Sequence, residues 1–203
     1  MSSHHYGINN PTFLDIGSNI GWFSMILAKH GFEVISFEAS KSNGLLFRGL
    51  SDKEKKCYLI SDDQNLGDGI IKCYKQNQEN FAPSGYKIRE HIDLVRLDDY
   101  VQQDIFLLKI DVEGFEPYVL DGATLLFKHY KVNFLMTEIA VAMMQENNKD
   151  PLKYIESLLD LGFECSSIDF TGPYLDFKKH FKTKNFNLLD LGLGAFVTAV
   201  VVK

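Results

Sequence analysis

The stretch from Thr12 to Phe37 constrains the fold most. Thr12-Phe13-Leu14-Asp15-Ile16 is a short apolar run that ends in a turn of small residues. Ile20 to His30 has helical spacing, with Ile20, Phe23, Ile26 and Leu27 on one face and Gly31 as its C-terminal stop. Glu33 to Phe37 is again apolar and β-prone. Strand, helix and strand in so few residues form a βαβ unit, which commits the chain to a parallel sheet with a right-handed crossover.

The alternation returns later. Ile105 to Ile110 is an almost continuous apolar run, as expected of a strand buried on both faces. Phe115 to His129 reads as a helix and Val132 to Ile139 as the next strand. Pro151 opens a helix running to about Leu161, with Gly162 at its end. Phe163 to Asp169 and Gly194 to Val202 read as closing strands, while Phe170 to Leu193 has no clear period. The middle, Asp52 to Asp98, mixes turn residues with short β-prone pieces such as Ile70 to Tyr74 and Ile92 to Leu97. It reads as one or two hairpins inserted into the α/β frame. A length of 203 residues fits one domain, with 1–11 as a short polar tail and 62–98 as the hairpin insertion.

Composition narrows the function classes. A net charge of -6 argues against a chain built to grip nucleic acid by its phosphates. Apolar runs such as Ala199 to Val202 are far too short to span a bilayer. Met1 to Pro11 has neither a basic nor an apolar leader region, so a cytoplasmic protein is expected. Cys57, Cys73 and Cys165 lack metal-ligand spacing and read as reduced thiols.

The turn Asp15-Ile16-Gly17-Ser18-Asn19-Ile20-Gly21 joins the first strand to the first helix. It is not a P-loop, because Trp22-Phe23 follows Gly21 where Lys and Ser/Thr are needed. It is not a dinucleotide fingerprint either, because its glycines are spaced G-x-x-x-G. A carboxylate beside the turn repels a pyrophosphate and suits a ligand with an amino group or sulfonium. Glu38, at the end of the second strand, can accept both hydrogens of a ribose diol. A cationic amino acid joined to a ribose without phosphates describes S-adenosylmethionine.

Leu14-Asp15-Ile16-Gly17-Ser18-Asn19-Ile20-Gly21-Trp22-Phe23-Ser24 and Phe37-Glu38-Ala39 resemble the first two motifs of FkbM-type class I methyltransferases. Arg96-Leu97-Asp98-Asp99-Tyr100, Leu108-Lys109-Ile110-Asp111-Val112-Glu113-Gly114-Phe115-Glu116, Val119 to Ala123 and Thr137-Glu138-Ile139 follow in that family's order. The resemblance covers roughly residues 12 to 140. It implies a Rossmann-like, mostly parallel seven-stranded sheet with helices on both faces and an antiparallel C-terminal strand. It also implies methyl transfer from S-adenosylmethionine, usually to oxygen, here to a small-molecule or glycan hydroxyl. On this reading Asp15, Gly17, Asn19 and Gly21 hold the methionine end and Glu38 the ribose, with Ser18 and Ala39 also at the cofactor. Asp111 lines the cofactor side. Alternative readings are a non-catalytic relative that binds cofactor or partners, and a protein or nucleic-acid methyltransferase. The chain has no Asn/Asp-Pro-Pro-Tyr/Phe string, which counts against amino-group methylation.

Asp111 ends a buried strand, so it is expected at the same cleft as Asp15. Glu113 and Glu116 open the next helix and suit its dipole. Asp111 and Glu113 are the expected catalytic carboxylates, with Glu113 as the base that takes the acceptor proton. With Glu138 they form an acidic trio of the type that holds Mg²⁺, although the resemblance does not require a metal. Lys109, inside an apolar strand, either snorkels or pairs with an acid. His91 and His129 read as structural or surface residues. Lys178, Lys179, His180, Lys182 and Lys184, among Phe177, Phe181 and Phe186, read as a charged face over an aromatic core edge. The third strand of the sheet has two candidates. One is Leu45 to Leu50, in register with the family. The other is Lys56 to Ile60 after a helix at Lys41 to Leu50, which leaves room for a crossover.

Overall fold

The computed structural model describes residues 10–39, 55–62, 70–75, 82, 84–92, 95–166 and 198–202. Its main sheet contains β1 (Thr12–Ile16), β2 (Glu33–Phe37), β6 (Ile105–Ile110), β7 (Val132–Glu138), β8 (Glu164–Ser166) and β9 (Thr198–Val202). The strand order is β2-β1-β6-β7-β9-β8. β2, β1, β6 and β7 are mutually parallel neighbours, and β9 runs antiparallel between β7 and β8. The described residues give this sheet six strands where the family resemblance implied seven.

A second sheet is entirely antiparallel, with β3 (Lys55–Asp62) between β4 (Ile70–Lys75) and β5 (Tyr86–Ile92). Lys56 to Ile60 is therefore a strand, but not the third strand of the main sheet, because both its edges are taken by its own hairpin partners. Leu45 to Leu50 and Lys41 to Leu50 lie outside the described residues, as does the Phe170 to Leu193 stretch with its lysines. Leu97 also departs from expectation: of the piece Ile92 to Leu97, Ile92 ends β5, while Leu97 opens a 3-10 turn, Leu97–Asp99.

The helices are α1 (Trp22–Lys29), α2 (Glu116–Asp121), α3 (Thr124–His129), α4 (Val141–Glu146) and α5 (Pro151–Asp160). The single helix expected from Phe115 to His129 is two, split at Gly122-Ala123. The cause is Asp98. Its backbone N–H bonds the Gly122 carbonyl at 3.1 Å, and its carboxylate accepts from the N–H groups of Leu125 and Leu126 at 2.9 and 3.0 Å. A buried side chain from another segment thus caps α3, where a capping residue is otherwise local. α5 is capped by its own Asp150, whose carboxylate accepts from Leu152 N–H at 2.9 Å ahead of Pro151. α4 was not expected from sequence.

Parallel strands buried on both faces explain the core. Leu14, Ile16, Leu108, Ile110, Leu135 and Ile139 pack with Leu126, Tyr154, Ile155 and Leu158 in the larger cluster. Phe13, Phe32, Phe106 and Leu107 form a smaller one, against which Leu27 and Val34 pack. α1 therefore seats on the sheet through Leu27. Its expected apolar face is otherwise uncovered: Ile20, Phe23 and Ile26 are 69%, 44% and 40% exposed. Among the described residues no helix is long and apolar enough to cross a membrane.

Candidate active site

Four parallel strands bring their carboxyl ends to one edge, and the expected site residues follow them there. Asp15 is next to last in β1, Glu38 follows β2, Asp111 follows β6 and Glu138 ends β7. In open α/β sheets this edge is where ligands bind.

The glycine turn is fixed by backbone geometry. The N–H groups of Gly17 and Ser18 both donate to the Phe37 carbonyl, at 2.9 and 3.1 Å. Asn19 N–H donates to Glu38 Oε2 at 2.7 Å, so the turn and Glu38 stand on one lip. Gly17 and Gly21 have φ of 79° and 77°. A Cβ on Gly17 would run into the backbone carbonyl of Asp111, so only glycine lets the two loops approach so closely.

Beneath the turn lies a polar cluster. Asp15 is fully buried. Its Oδ2 accepts from Ser24 Oγ at 2.7 Å, and Ser24 and Ser36 share a hydroxyl contact of the same length. Among the described residues Asp15 Oδ1 accepts no hydrogen bond, and it stands 3.4 Å from Lys109 Nζ. Lys109 is paired in register with Asp15 and is 5% exposed. It donates to the Gly17 carbonyl at 2.9 Å and lies 3.2 Å from Asp111 Oδ2. Of the two readings of Lys109, pairing with acids is therefore the observed one. Sequence reasoning missed Ser24 and Ser36. The available signal was their polarity at inward positions of an apolar helix and strand.

The acidic side is arranged differently from expectation. Glu113 and Glu116 do not both open a helix. Glu113 sits in the turn before α2 with φ 53°, and Gly114 follows at φ 88°. Gly114 packs so tightly that a Cβ would lie 2.6 Å from the Met143 backbone. Glu116 turns back and is fully buried; its Oε1 accepts from the N–H groups of Val112 and Gly114 at 3.1 and 3.2 Å. Burial outweighs those bonds and pushes its carboxyl up to about 7. Glu138 is also pushed up to about 7, first by burial, then by the charge of Asp111 and a hydrogen bond with it, and then by Glu113 and Glu116. Glu138 thus stands beside Asp111 at this edge. Among the described residues no group of three His, Cys, Asp or Glu side chains is placed to hold a metal ion. The trio Asp111, Glu113 and Glu138 is not brought together as a ligand set.

A mostly parallel sheet with a glycine turn and acids at its carboxyl edge defines an open α/β fold. The donor set fits a cationic, ribose-bearing ligand: carboxylates line the edge, and the nearby cation, Lys109, is occupied by protein oxygens. The family model described as Methyltransferase FkbM domain matches residues 15–165, and the chain belongs to that family. No curated protein and no solved structure gives a significant match.

Proposed function

We propose that the chain acts as one S-adenosylmethionine-dependent methyltransferase domain that methylates a hydroxyl of a small molecule or glycan in the cytoplasm. The observation that carries this reading is the 2.7 Å bond from Asn19 N–H to Glu38, which unites the glycine turn with the acid suited to a ribose diol. In this reading Gly17, Ser18, Asn19 and Gly21 hold the methionine end through backbone groups. Asp15 acts from below, through Ser24 and Lys109. Glu38 and Ala39 take the ribose. The donor supplies an electrophilic methyl group on a sulfonium. The chain contributes orientation, together with a carboxylate at Asp111 or Glu113 to receive the acceptor proton.

Calorimetric titration with S-adenosylhomocysteine tests this. Wild type is expected to bind, and Glu38→Ala to bind at least about tenfold more weakly, because two hydrogen bonds to a charged acceptor are lost. A folded wild type that shows no binding sinks the reading. Binding without methyl transfer to any acceptor pool would favour a non-catalytic relative.

A further inference from the structure

We propose that Lys109 is a positioning residue: its ammonium pins the donor-binding turn to the acid at the acceptor side. This deepens the reading above and rests on it. One group, 5% exposed, reaches four parts of the site. It donates to the Gly17 carbonyl at 2.9 Å, lies 3.2 Å from Asp111 and 3.4 Å from Asp15, and stands 5.6 Å from the centre of the Phe23 ring.

The turn needs such an anchor. None of the α1 side chains is fully buried, and the helix has no side-chain cap at its N-terminus, so packing of α1 does little to hold the turn. The turn's other fixings come from Phe37 and Glu38 on the β2 side and from one backbone bond, Asp111 N–H to the Ile16 carbonyl at 3.0 Å, on the β6 side. Lys109 supplies the side-chain tie from β6, the strand that Asp111 follows. Its charge is committed to protein oxygens, so it does not act as a ligand cation. It acts through the turn, by fixing where the Gly17 carbonyl points and therefore where the N–H groups after it point. Asp111 is held by the same ammonium, so donor turn and acceptor-side acid move as one unit.

Gly17-Ser18 is the only Gly-Ser step in the chain. Carbonyl-¹³C glycine with ¹⁵N serine labelling therefore gives a single resonance that reports the hydrogen bond at the Gly17 carbonyl. In Lys109→Met this resonance is expected to shift and S-adenosylhomocysteine affinity to fall about tenfold, the size expected for loss of a charged hydrogen bond. Lys109→Gln keeps a donor for Gly17 and is expected to recover part of both. If the single variants fail to fold, Lys109→Met with Asp15→Asn removes both buried charges and is expected to show the same shift and weakening. A folded variant of either kind with an unmoved Gly17 resonance, and affinity within about threefold of wild type, overturns the proposal and leaves Lys109 a buried ion pair. If wild type binds no S-adenosylhomocysteine, the methyltransferase reading fails, while the Gly17 resonance still reports whether Lys109 holds the turn.

Discussion

At the scale of single residues, Glu116 shows how the fold stores a titratable group. One oxygen serves two backbone N–H groups, while the other is buried without a hydrogen-bond partner among the described residues. Burial lifts the carboxyl from 4.5 to about 7. The unfolded chain loses this proton near its ordinary value while the folded chain keeps it. Stability from Glu116 is therefore full below pH 4.5 and is lost as pH rises through about 7. The loss amounts to about 3 kcal/mol at most. Glu116→Gln keeps an acceptor for both N–H groups and cannot ionise. It is expected to flatten the stability profile between pH 5 and 8, and to exceed wild type by roughly 1–3 kcal/mol at the alkaline end. Denaturant unfolding across that range checks this; parallel profiles for the two proteins would refute it. Sequence placed Glu116 near a helix start but could not show that its side chain turns inward. The choice depends on Met143 closing over Gly114, a contact made 29 residues further along the chain.

At the scale of elements, Asp98 decides where α3 begins. Its Oδ1 receives two α3 N–H groups and its Oδ2 pairs with Arg96 at 2.7 Å. Asp98→Ala leaves buried donors unsatisfied and is expected to cost about 2 kcal/mol or more, read as a lowered denaturant midpoint. Asp98→Asn keeps an acceptor and is expected to lose less. A loss under about 0.5 kcal/mol for Asp98→Ala would mean that α3 is capped by solvent instead. The Asp98 motif was legible in sequence as a family string, but its work was not, since a cap supplied 27 residues away leaves no local pattern. The same limit applies to α1. Periodicity marked its apolar face correctly as a pattern, yet β1 and β2 meet it with Asp15 and Ser36, so the turn of helix above them seats on a polar cluster.

At the scale of the whole molecule, β9 closes the sheet. It pairs with β7 from Phe134↔Val202 to Glu138↔Thr198 and with β8 on its other side, so it begins beside Glu138 and joins two otherwise separated strands. A chain ending before Thr198 would expose the β7 edge next to Glu138 and release β8. Such a truncation is expected to lose its cooperative thermal transition and to aggregate, as unpaired edges do. A cooperative melt within about 5 °C of the full chain would show that β9 is dispensable. Sequence by itself determined the alternation of strand and helix, the parallel sheet, and the carboxyl edge where Asp15, Glu38, Asp111 and Glu138 meet. These follow from local periodicity and from the handedness of βαβ units. Only the tertiary structure decided that β3 joins a second sheet, that Asp15 lies beneath the turn, that Lys109 ties Gly17 to Asp111, and that Glu138 stands beside Asp111. Each of these depends on distances between segments far apart in the chain, and burial at those contacts sets which charges are held and which protons are kept.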